Sequence, residues 1–301
     1  MKGLFIDASP ALAATLEAQP RPAGVELDIN LAAQLEPETL PELVAGYDFV
    51  LNDHSFMPTA VMRRCPGLRH VIFLGTGARS YMNPEELAEL GITVHIIKGY
   101  GDRAVAEHAF ALMFAAARGL AAMDRAMRAG HWRRTEGPEL AGKTVGLMGY
   151  GGIGREMAGL CRAIGMRVLV WTRTPRPEDG IAFVDLDTLL SESRFLSLHL
   201  LLDDGTRGIL SAERLARLPE GAILINTARG ALIDEPAMIA ALRSGRLGHA
   251  ALDVFTEEPL PAGHPLTALD NVTLSAHSAF RTPEASANLM RQALEIAGRL
   301  D

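Results

Sequence analysis

Six residues decide the fold, Gly149-Tyr150-Gly151-Gly152-Ile153-Gly154. They follow the apolar run 145–148, which has the composition of a buried strand, and they precede residues 155–164, which have helical composition. In the order strand, G-x-G-x-x-G, helix, the first glycine permits a tight turn, the second lets the backbone approach a pyrophosphate, and the third lets helix and strand pack closely. The free N–H groups at the start of the helix favour phosphate. We therefore expect a dinucleotide cofactor at Gly149, Gly151, Gly152, Ile153 and Gly154.

Short apolar runs alternate with helix-like segments on both sides of this motif. We predict strands at residues 4–6, 25–29, 49–51, 71–74, 94–97, 144–148, 167–171, 195–200, 222–226, 250–254 and 272–275. We predict helices at residues 58–64, 84–90, 103–129 and 283–300. This alternation predicts an α/β protein whose parallel sheets are covered by helices on both faces.

Composition narrows the functional classes. The 301 residues suggest about two domains, and 48% of them are hydrophobic, which is enough for a sizeable core. A formal net charge of −7 argues against a general nucleic-acid binder, which needs a basic surface for phosphates. The two cysteines, Cys65 and Cys161, are too few for a disulfide framework and suggest a reducing compartment. With no signal-peptide pattern and no run of about 18 apolar residues, we expect no membrane association and a cytoplasmic protein.

The strand after the glycine motif bears on which cofactor is used. An NAD-preferring fold usually places an acid about 20 residues on, where it binds the ribose 2′-hydroxyl. Here Thr172 lies 18 residues after Gly154, and Arg173 and Thr174 follow it. A guanidinium suits a 2′-phosphate, so we predict NADP in preference to NAD, with Arg173 in solvent as the alternative. Glu178 and the following Asp179 are expected to lie too far along the loop to replace the missing acid.

Three further segments follow predicted strands, where ligands bind in open α/β sheets. They contain Arg229, Glu258 and His277. Reduction of a 2-keto acid needs a proton donor at the carbonyl oxygen and a cation for the carboxylate; imidazole backed by a carboxylate supplies the first, and a guanidinium supplies the second. Taken singly, the three side chains read as a surface cation, a solvated acid and a strand-end histidine. Behind a dinucleotide motif, the set favours catalysis.

At these residues the chain resembles the D-isomer-specific 2-hydroxyacid dehydrogenases, in the branch of the glyoxylate and hydroxypyruvate reductases. The resemblance runs from about Phe49 to the C-terminus and includes Val105-Ala106-Glu107-His108, Gly130-His131-Trp132 and residues 199–210. It implies that Arg229 binds substrate, that His277 is the acid/base and that Glu258, directly before a proline, is its partner. It also implies a substrate-carboxylate loop at Gly75, Thr76 and Gly77. The further cofactor contacts that it implies are Val105, Thr206, Thr227, Ala228, Asp253 and His277.

The resemblance also implies the architecture: a Rossmann cofactor domain, residues 100–278, inserted into a flavodoxin-like substrate domain, residues 1–99 plus 279–301. The family's active site lies in the cleft between two such domains, and the long helix predicted at residues 103–129 would contribute a homodimer contact. Three departures from the family pattern concern the substrate, and one of them is the less typical stretch at residues 99–103. Ala276 stands where a proline usually precedes the histidine, and Arg79 either meets a second anionic group or faces solvent.

Three rival interpretations remain. A dinucleotide-binding regulator of the corepressor type shares the fold and the three residues, so fold alone does not decide between it and an enzyme. Formate dehydrogenase shares the architecture but carries glutamine where Glu258 stands. A metal-dependent enzyme would need clustered ligands, and we predict no metal site because no such spacing of His, Cys, Asp and Glu occurs in the sequence.

Overall fold

A computed structural model describes residues 1–32, 35–176 and 178–300. Its strands are β1 (Lys2–Phe5), β2 (Glu26–Ile29), β3 (Phe49–Asn52), β4 (His70–Phe73), β5 (Thr93–Ile96), β6 (Thr144–Met148), β7 (Arg167–Trp171), β8 (Ala182–Phe183), β9 (Phe195–Leu198), β10 (Ala222–Asn226), β11 (Leu247–Leu252) and β12 (Val272–Leu274). Its α-helices are α1 (Pro10–Glu17), α2 (Leu40–Leu43), α3 (Thr59–Met62), α4 (Pro84–Glu89), α5 (Asp102–Ala117), α6 (Leu120–Arg128), α7 (Gly152–Ala163), α8 (Leu186–Glu192), α9 (Ala212–Arg217), α10 (Glu235–Arg243) and α11 (Pro283–Ala297).

The chain divides into two compact units. Unit 1 comprises Met1–Gly101 with Arg281–Asp301, and unit 2 comprises Asp102–Phe280. Unit 2 is therefore an insertion between two segments of unit 1 along the chain.

Unit 1 is built on a parallel sheet of order β2-β1-β3-β4-β5, the flavodoxin-like order. Side chains alternate between its two faces. On β3, Phe49 and Leu51 pack into the core that α1 and α11 cover, whereas Val50 packs into the core that α2, α3 and α4 cover. Because both faces are buried, the central strands are apolar runs without polar alternation.

Unit 2 is built on a parallel sheet of order β12-β11-β10-β9-β6-β7-β8. In this sheet the first strand, β6, lies between β7 and β9, so the strand order reverses there. Ligands bind at the carboxyl ends of the strands beside such a reversal. Helices α5 and α7 cover one face and α8, α9 and α10 the other, each through its own hydrophobic cluster.

Capping residues set where several helices begin. Asn83 accepts a hydrogen bond from the backbone N–H of Glu86 at 3.2 Å, and a proline follows it at the first position of α4. Thr282 caps α11 in the same way through the N–H of Ala285 at 3.1 Å, again with proline next. Both helices start where the sequence predicted.

The predicted fold class is confirmed, although α1, α2, α8, α9 and α10 were not predicted individually and two further details were wrong. The single helix expected over residues 103–129 is wrong, because Gly119 adopts φ of +62° and separates α5 from α6, whose axes meet at 66°. That left-handed conformation costs glycine little and ends the regular hydrogen bonding of a helix. The strand β8 was missed, since its two residues, Ala182–Phe183, are too short to give a pattern.

None of the described helices has both the length and the composition to span a membrane by itself; α5 and α6 meet these criteria only together, as a bent pair.

Candidate active site

The turn between β6 and α7 requires glycine at two positions. At Gly149 φ is +103°, and a Cβ there would lie 2.4 Å from the carbonyl oxygen of His199. At Gly154 a Cβ would lie 2.5 Å from the carbonyl oxygen of Gly149. A Cβ at Gly151, directly before α7, would meet nothing within 4 Å. The first and third glycines thus close the turn against the sheet, and the second leaves the N-terminus of α7 open, as a pyrophosphate requires.

An aspartate that sequence reasoning missed lies against the same turn. A Cβ at Gly152 would lie only 1.6 Å from Oδ2 of Asp102, so this carboxylate packs directly on the glycine. Burial, together with the charge of Glu156, raises the pKa of Asp102. The contact joins two residues that are 50 positions apart in the sequence, and no sequence motif predicts it.

A cavity of about 280 Å³ lies between the glycine turn and the end of β7. Its lining residues are Tyr150, Gly151, Gly152, Arg155, Thr172, Thr174, Arg176 and Phe183. Thr172 and Thr174, both predicted cofactor residues, therefore face this cavity together with two guanidinium-bearing side chains. Arg173 does not line it, because its Nη1 lies 3.2 Å from Oδ2 of Asp203 and forms an ion pair there.

Glu178 contacts the glycine turn through Tyr150. The hydroxyl of Tyr150 donates to its Oε1 at 2.7 Å, and its Oε2 lies 3.7 Å from Nη1 of Arg155. Burial, and then this hydrogen bond, raise the pKa of Tyr150 to about 12. Glu178 thus contacts two residues that line the cavity, Tyr150 and Arg155. Whether it replaces the missing acid at the ribose stays a prediction.

The structure brings His277 and Glu258 into contact. Nδ1 of His277 lies 2.7 Å from Oε2 of Glu258, whose Oε1 accepts the backbone N–H of Phe255 at 2.8 Å. Burial alone would raise the pKa of Glu258, but the hydrogen bonds from His277 and Phe255 and the charge of Arg229 hold it below its usual range. Glu258 is therefore ionised at neutral pH and fixes the proton on Nδ1, so that Nε2 is the nitrogen free to act on a ligand.

Arg229 follows β10 in a turn that is tied down at several points. The side-chain amide of Asn226 donates to the carbonyl of Arg229 at 2.9 Å and accepts the N–H of Ala228 at 3.0 Å. A Cβ at Gly230 would lie 2.1 Å from the carbonyl carbon of Phe255. The arginine turn and the loop that leads to the glutamate are thus packed backbone against backbone, and glycine is the residue that permits it.

Asp253, fully buried at the end of β11, organises the loop that carries the imidazole. Its Oδ1 accepts the hydroxyl of Ser275 at 2.6 Å and the N–H of Ser278 at 2.9 Å, and its Oδ2 accepts the N–H of Ala279 at 2.9 Å. On α5, Nε2 of His108 lies 3.5 Å from Oδ1. Burial alone would raise the pKa of Asp253, but these hydrogen bonds lower it. The resemblance implied that Asp253 contacts the cofactor. In the structure its carboxylate accepts hydrogen bonds from groups of the protein itself.

The backbone at His277 is unusual as well. Its φ of +47° is left-handed, which is rare for a residue with a side chain, and its N–H donates to the carbonyl of Asp253 at 2.7 Å. Such strain persists where the surrounding contacts over-determine the conformation, and it is common at functional sites.

Three buried polar atoms lack a hydrogen-bond partner among the described residues: Oγ of Ser197, Nε2 of His199 and Oγ1 of Thr227. The pairing of Leu198 with Asn226 puts His199 and Thr227 side by side at the carboxyl edge of the sheet. Burial lowers the pKa of His199 to about 4, so its ring is neutral. Thr227, a predicted cofactor residue, therefore keeps unused bonding capacity at the edge where ligands bind.

The other predicted cofactor residues differ in availability. Val105 is buried in α5, and Ile153 and Ala228 are half-buried. The hydroxyl of Thr206 is engaged in its own loop, where it donates to the carbonyl of Leu201 at 2.7 Å and accepts the N–H of Asp203 at 2.8 Å. These contacts do not favour its assignment to the cofactor.

In unit 1, the predicted substrate loop follows β4. The N–H of Gly75 donates to the carbonyl of Phe73 at 2.8 Å, and its carbonyl accepts the N–H of Ile97 at 3.0 Å. Within the described parts of the chain, the N–H groups of Thr76 and Gly77 have no acceptor. Two adjacent backbone donors are thus available to an anion.

Two other features of unit 1 bear on the substrate. Arg79 pairs with Glu85 on the exposed surface, Nη1 to Oε2 at 2.9 Å, so the structure favours the solvent-facing alternative for this arginine. The loop after β3 is held by Asp7, fully buried, whose carboxylate accepts the N–H groups of Asp53 at 2.9 Å and His54 at 2.8 Å. Sequence reasoning missed Asp7, although an acid that ends an apolar strand was a visible signal.

Groups of His, Cys, Asp and Glu able to hold a metal ion do not occur among the described residues. Cys65 and Cys161 are both free and buried.

Comparison with known proteins settles the family. The family model for the D-isomer specific 2-hydroxyacid dehydrogenase, NAD binding domain, matches residues 110–279, more than half of the chain. The chain belongs to this family. It is therefore an oxidoreductase, a nicotinamide-dependent 2-hydroxyacid dehydrogenase.

Individual relatives agree with that assignment. The glyoxylate reductase of Aeropyrum pernix is 39% identical over 248 residues, which are 78% of this chain and 74% of that one. The hydroxypyruvate reductase of Thermotoga maritima is 35% identical over 267 residues, 86% of each chain. A solved acyclic imino acid reductase in complex with NADPH and D-Arg is 28% identical, with a TM-score of 0.84 over 96% of this chain and 94% of that one.

The contact between the arginine turn and the glutamate loop can be tested with a matched pair of glycines. In Gly230→Ala the added Cβ would lie 2.1 Å from the backbone of Phe255, so the two loops must separate. We expect a loss of about 3 kcal/mol or more in stability, the size typical of forced overpacking, and at least a hundredfold fall in kcat/KM. Thermal unfolding and steady-state kinetics measure both.

The control is Gly159→Ala, inside α7, where a Cβ would meet nothing within 4 Å. It should leave activity unchanged and raise stability by about 0.5–1 kcal/mol, the helix preference of alanine over glycine. Wild-type activity in Gly230→Ala would show that the close packing of these loops is not needed for catalysis.

Proposed function

We propose that this protein reduces C2 of a small 2-keto acid of the glyoxylate or hydroxypyruvate type and oxidises the corresponding 2-hydroxy acid in reverse. In this proposal His277 is the acid/base, Glu258 is its partner and Arg229 binds the substrate. The observation that carries it is the 2.7 Å contact between His277 and an ionised Glu258, with Arg229 near enough for its charge to lower the pKa of that carboxyl. The substrate type rests on the relatives, which are a glyoxylate reductase and a hydroxypyruvate reductase.

The residues divide the chemistry among them. The nicotinamide, when bound, supplies the hydride that reaches C2. Reduction also needs a proton at the carbonyl oxygen, and Nε2 of His277 delivers it while Glu258 stabilises the positive charge on the ring. Arg229 grips the substrate carboxylate through paired N–H bonds and opposes the negative charge that develops on the oxygen. In the oxidative direction His277 takes the proton back.

For the cofactor, we propose NADP in preference to NAD. The closed glycine turn with its open second position fits a pyrophosphate. The end of β7 offers threonines and, at the cavity, the guanidinium groups of Arg155 and Arg176, which suit a 2′-phosphate. Arg173 joins them once it leaves Asp203.

We assign the substrate-binding role to unit 1 and the cofactor-binding role to unit 2, close to the boundaries expected from the sequence at residues 99–100 and 278–279. In unit 1 the free N–H groups of Thr76 and Gly77 suit a carboxylate. In unit 2 the three loops with the arginine, the glutamate and the histidine all follow the carboxyl ends of strands. The two free cysteines are consistent with a cytoplasmic location.

We also propose a homodimer formed through α6 and the segment after it. Leu120 and Met127 are each 50% exposed and Trp132 is 76% exposed, an unusual concentration of apolar surface. Light scattering should give twice the 32.3 kDa chain mass, and Trp132→Glu with Met127→Glu should give the single mass. A wild-type monomer at micromolar concentration would exclude this assembly.

No observation favours the regulatory alternative. The relatives reported above are a glyoxylate reductase and a hydroxypyruvate reductase, which are enzymes by name.

The role of His277 is tested by turnover. In His277→Ala the proton donor is lost, and we expect kcat for glyoxylate or hydroxypyruvate to fall by at least about a hundredfold, the scale of general-acid catalysis. The dissociation constant of the reduced cofactor, from fluorescence titration, should change less than threefold. Glu17→Ala, at an exposed position in α1, is the control and should match the wild type. Near-normal kcat in His277→Ala would remove this residue from the mechanism.

The cofactor preference is tested by the arginine at the end of β7. We expect wild-type kcat/KM to be higher with NADPH than with NADH. Arg173→Ala should lower the NADPH value by about tenfold or more, the size of a charge-assisted hydrogen bond, and leave the NADH value within twofold. The control is Arg299→Ala, at an exposed position in unit 1. Equal losses with both cofactors would count against a phosphate contact.

A further inference from the structure

Two of the arginines near the end of β7 are already paired with carboxylates. Arg173 lies 3.2 Å from Asp203, and Arg155 lies 3.7 Å from Glu178. The cavity is lined by the threonines on either side of Arg173, but the guanidinium of Arg173 turns away to Asp203. The carboxylates of Asp203 and Glu178 are therefore already paired with the guanidinium groups that a 2′-phosphate would need.

Backbone hydrogen bonds to the residues that follow it hold Asp203 in place. Its N–H donates to Oγ1 of the buried Thr206 at 2.8 Å, and its carbonyl accepts the N–H groups of Thr206 at 3.0 Å and Arg207 at 2.9 Å. Although burial raises its pKa, the hydrogen bond from Thr206 and the charge of Arg173 bring it below its usual range. Asp203 is thus a fixed negative charge beside Arg173 at neutral pH.

Glu178 is held by a different contact. The hydroxyl of Tyr150 donates to it at 2.7 Å, and the guanidinium of Arg155 lies over the ring of Tyr150, 5.2 Å from its centroid. Tyr150 thereby brings the acid and the arginine together at the rim of the cavity.

Each acid has a neighbour of the same charge that makes no such pair. Within residues 1–32, 35–176 and 178–300, neither Asp204 nor Asp179 forms an ion pair or a side-chain hydrogen bond. Asp204 and Asp179 are therefore matched controls. Each carries the same charge at the adjacent position in the sequence, but neither pairs with an arginine among the described residues.

We propose that Asp203 and Glu178 are specificity-determining residues that weaken the binding of NADPH relative to NADH by holding Arg173 and Arg155 in ion pairs. The proposal rests on the proposed binding of the ribose 2′-phosphate at the end of β7. It goes beyond that assignment because it identifies two carboxylates of the chain that compete with the 2′-phosphate for the arginines.

The physical reason is charge. A 2′-phosphate must either displace each carboxylate from its arginine or share the arginine with it, and in both cases two anions are brought close together. The 2′-hydroxyl of NADH is neutral and meets no such repulsion. For partly exposed groups we expect each acid to change NADPH binding by about three- to tenfold, since solvent screens the interaction.

The experiment uses the full-length wild-type protein and the variants Asp203→Asn and Glu178→Gln, with Asp204→Asn and Asp179→Asn as matched controls. KM and kcat are measured with NADPH and with NADH at saturating glyoxylate, and thermal unfolding checks that each variant is folded. We expect KM for NADPH to fall three- to tenfold in the first two variants, with KM for NADH and both kcat values within twofold. The gain should shrink at 0.5 M salt, where surface charges are screened. The controls should show less than twofold change.

The outcomes separate this inference from the proposed cofactor preference. If the wild type prefers NADPH and Asp203→Asn leaves KM for NADPH unchanged, the counter-ion role is wrong and the preference stands. If the wild type prefers NADH but Asp203→Asn still lowers KM for NADPH selectively, the preference is wrong and the counter-ion role stands. A rise in KM for NADPH would mean that the acids position the arginines productively, which overturns the inference. Equal changes in Asp203→Asn and Asp204→Asn would also overturn it, because net charge alone would then be responsible.

Discussion

One buried carboxylate, that of Asp253, holds the reactive edge of unit 2 together. It lies at the end of β11, accepts hydrogen bonds from the loop after β12 and contacts His108 on α5. An ionised group without solvent is tolerated only where donors surround it, so the loop cannot shift without leaving a charge unpaired. The left-handed backbone at His277 follows from this arrangement, because its N–H is bound to the carbonyl of Asp253. The buried Asp253 thus fixes the backbone at His277, and the contact with Glu258 then orients the imidazole.

The contacts around the histidine and those around the cofactor cavity differ in kind. The turn at Arg229 is fixed by backbone packing and by the side chain of Asn226, with no room for a Cβ at Gly230. Arg173 and Arg155 are held by exposed ion pairs, which are individually weak and sensitive to salt, and Arg155 also lies over the ring of Tyr150. Rigid contacts preserve the geometry that proton transfer needs. Exposed pairs can be exchanged for a ligand at small cost.

Sequence reasoning succeeded where a pattern is local. The glycine turn, the strand runs and the capped starts of α4 and α11 depend on neighbouring residues, and the fold class followed from them. The break at Gly119 could not be read with certainty, because glycine inside a helical pattern is often tolerated. The contact of Gly152 with Asp102 and the return of Glu178 to Tyr150 depend on tertiary folding and have no fixed spacing. For the same reason the sequence predicted a phosphate contact for Arg173 but did not indicate Asp203 as its partner.

The difference between the two regions has a consequence for how substrate reduction and cofactor choice are coupled. Asp203 lies in the loop after β9, whereas the loops with Arg229, Glu258 and His277 follow β10, β11 and β12. Asp203 is not a partner in the hydrogen bonds of Asp253 and Asn226 described above, so a charge change at this position removes none of them. The cofactor contacts and the acid/base pair that we propose thus lie on different loops of one sheet. Exposed ion pairs hold the first set, whereas hydrogen bonds to buried Asp253 and close backbone packing at Gly230 hold the second.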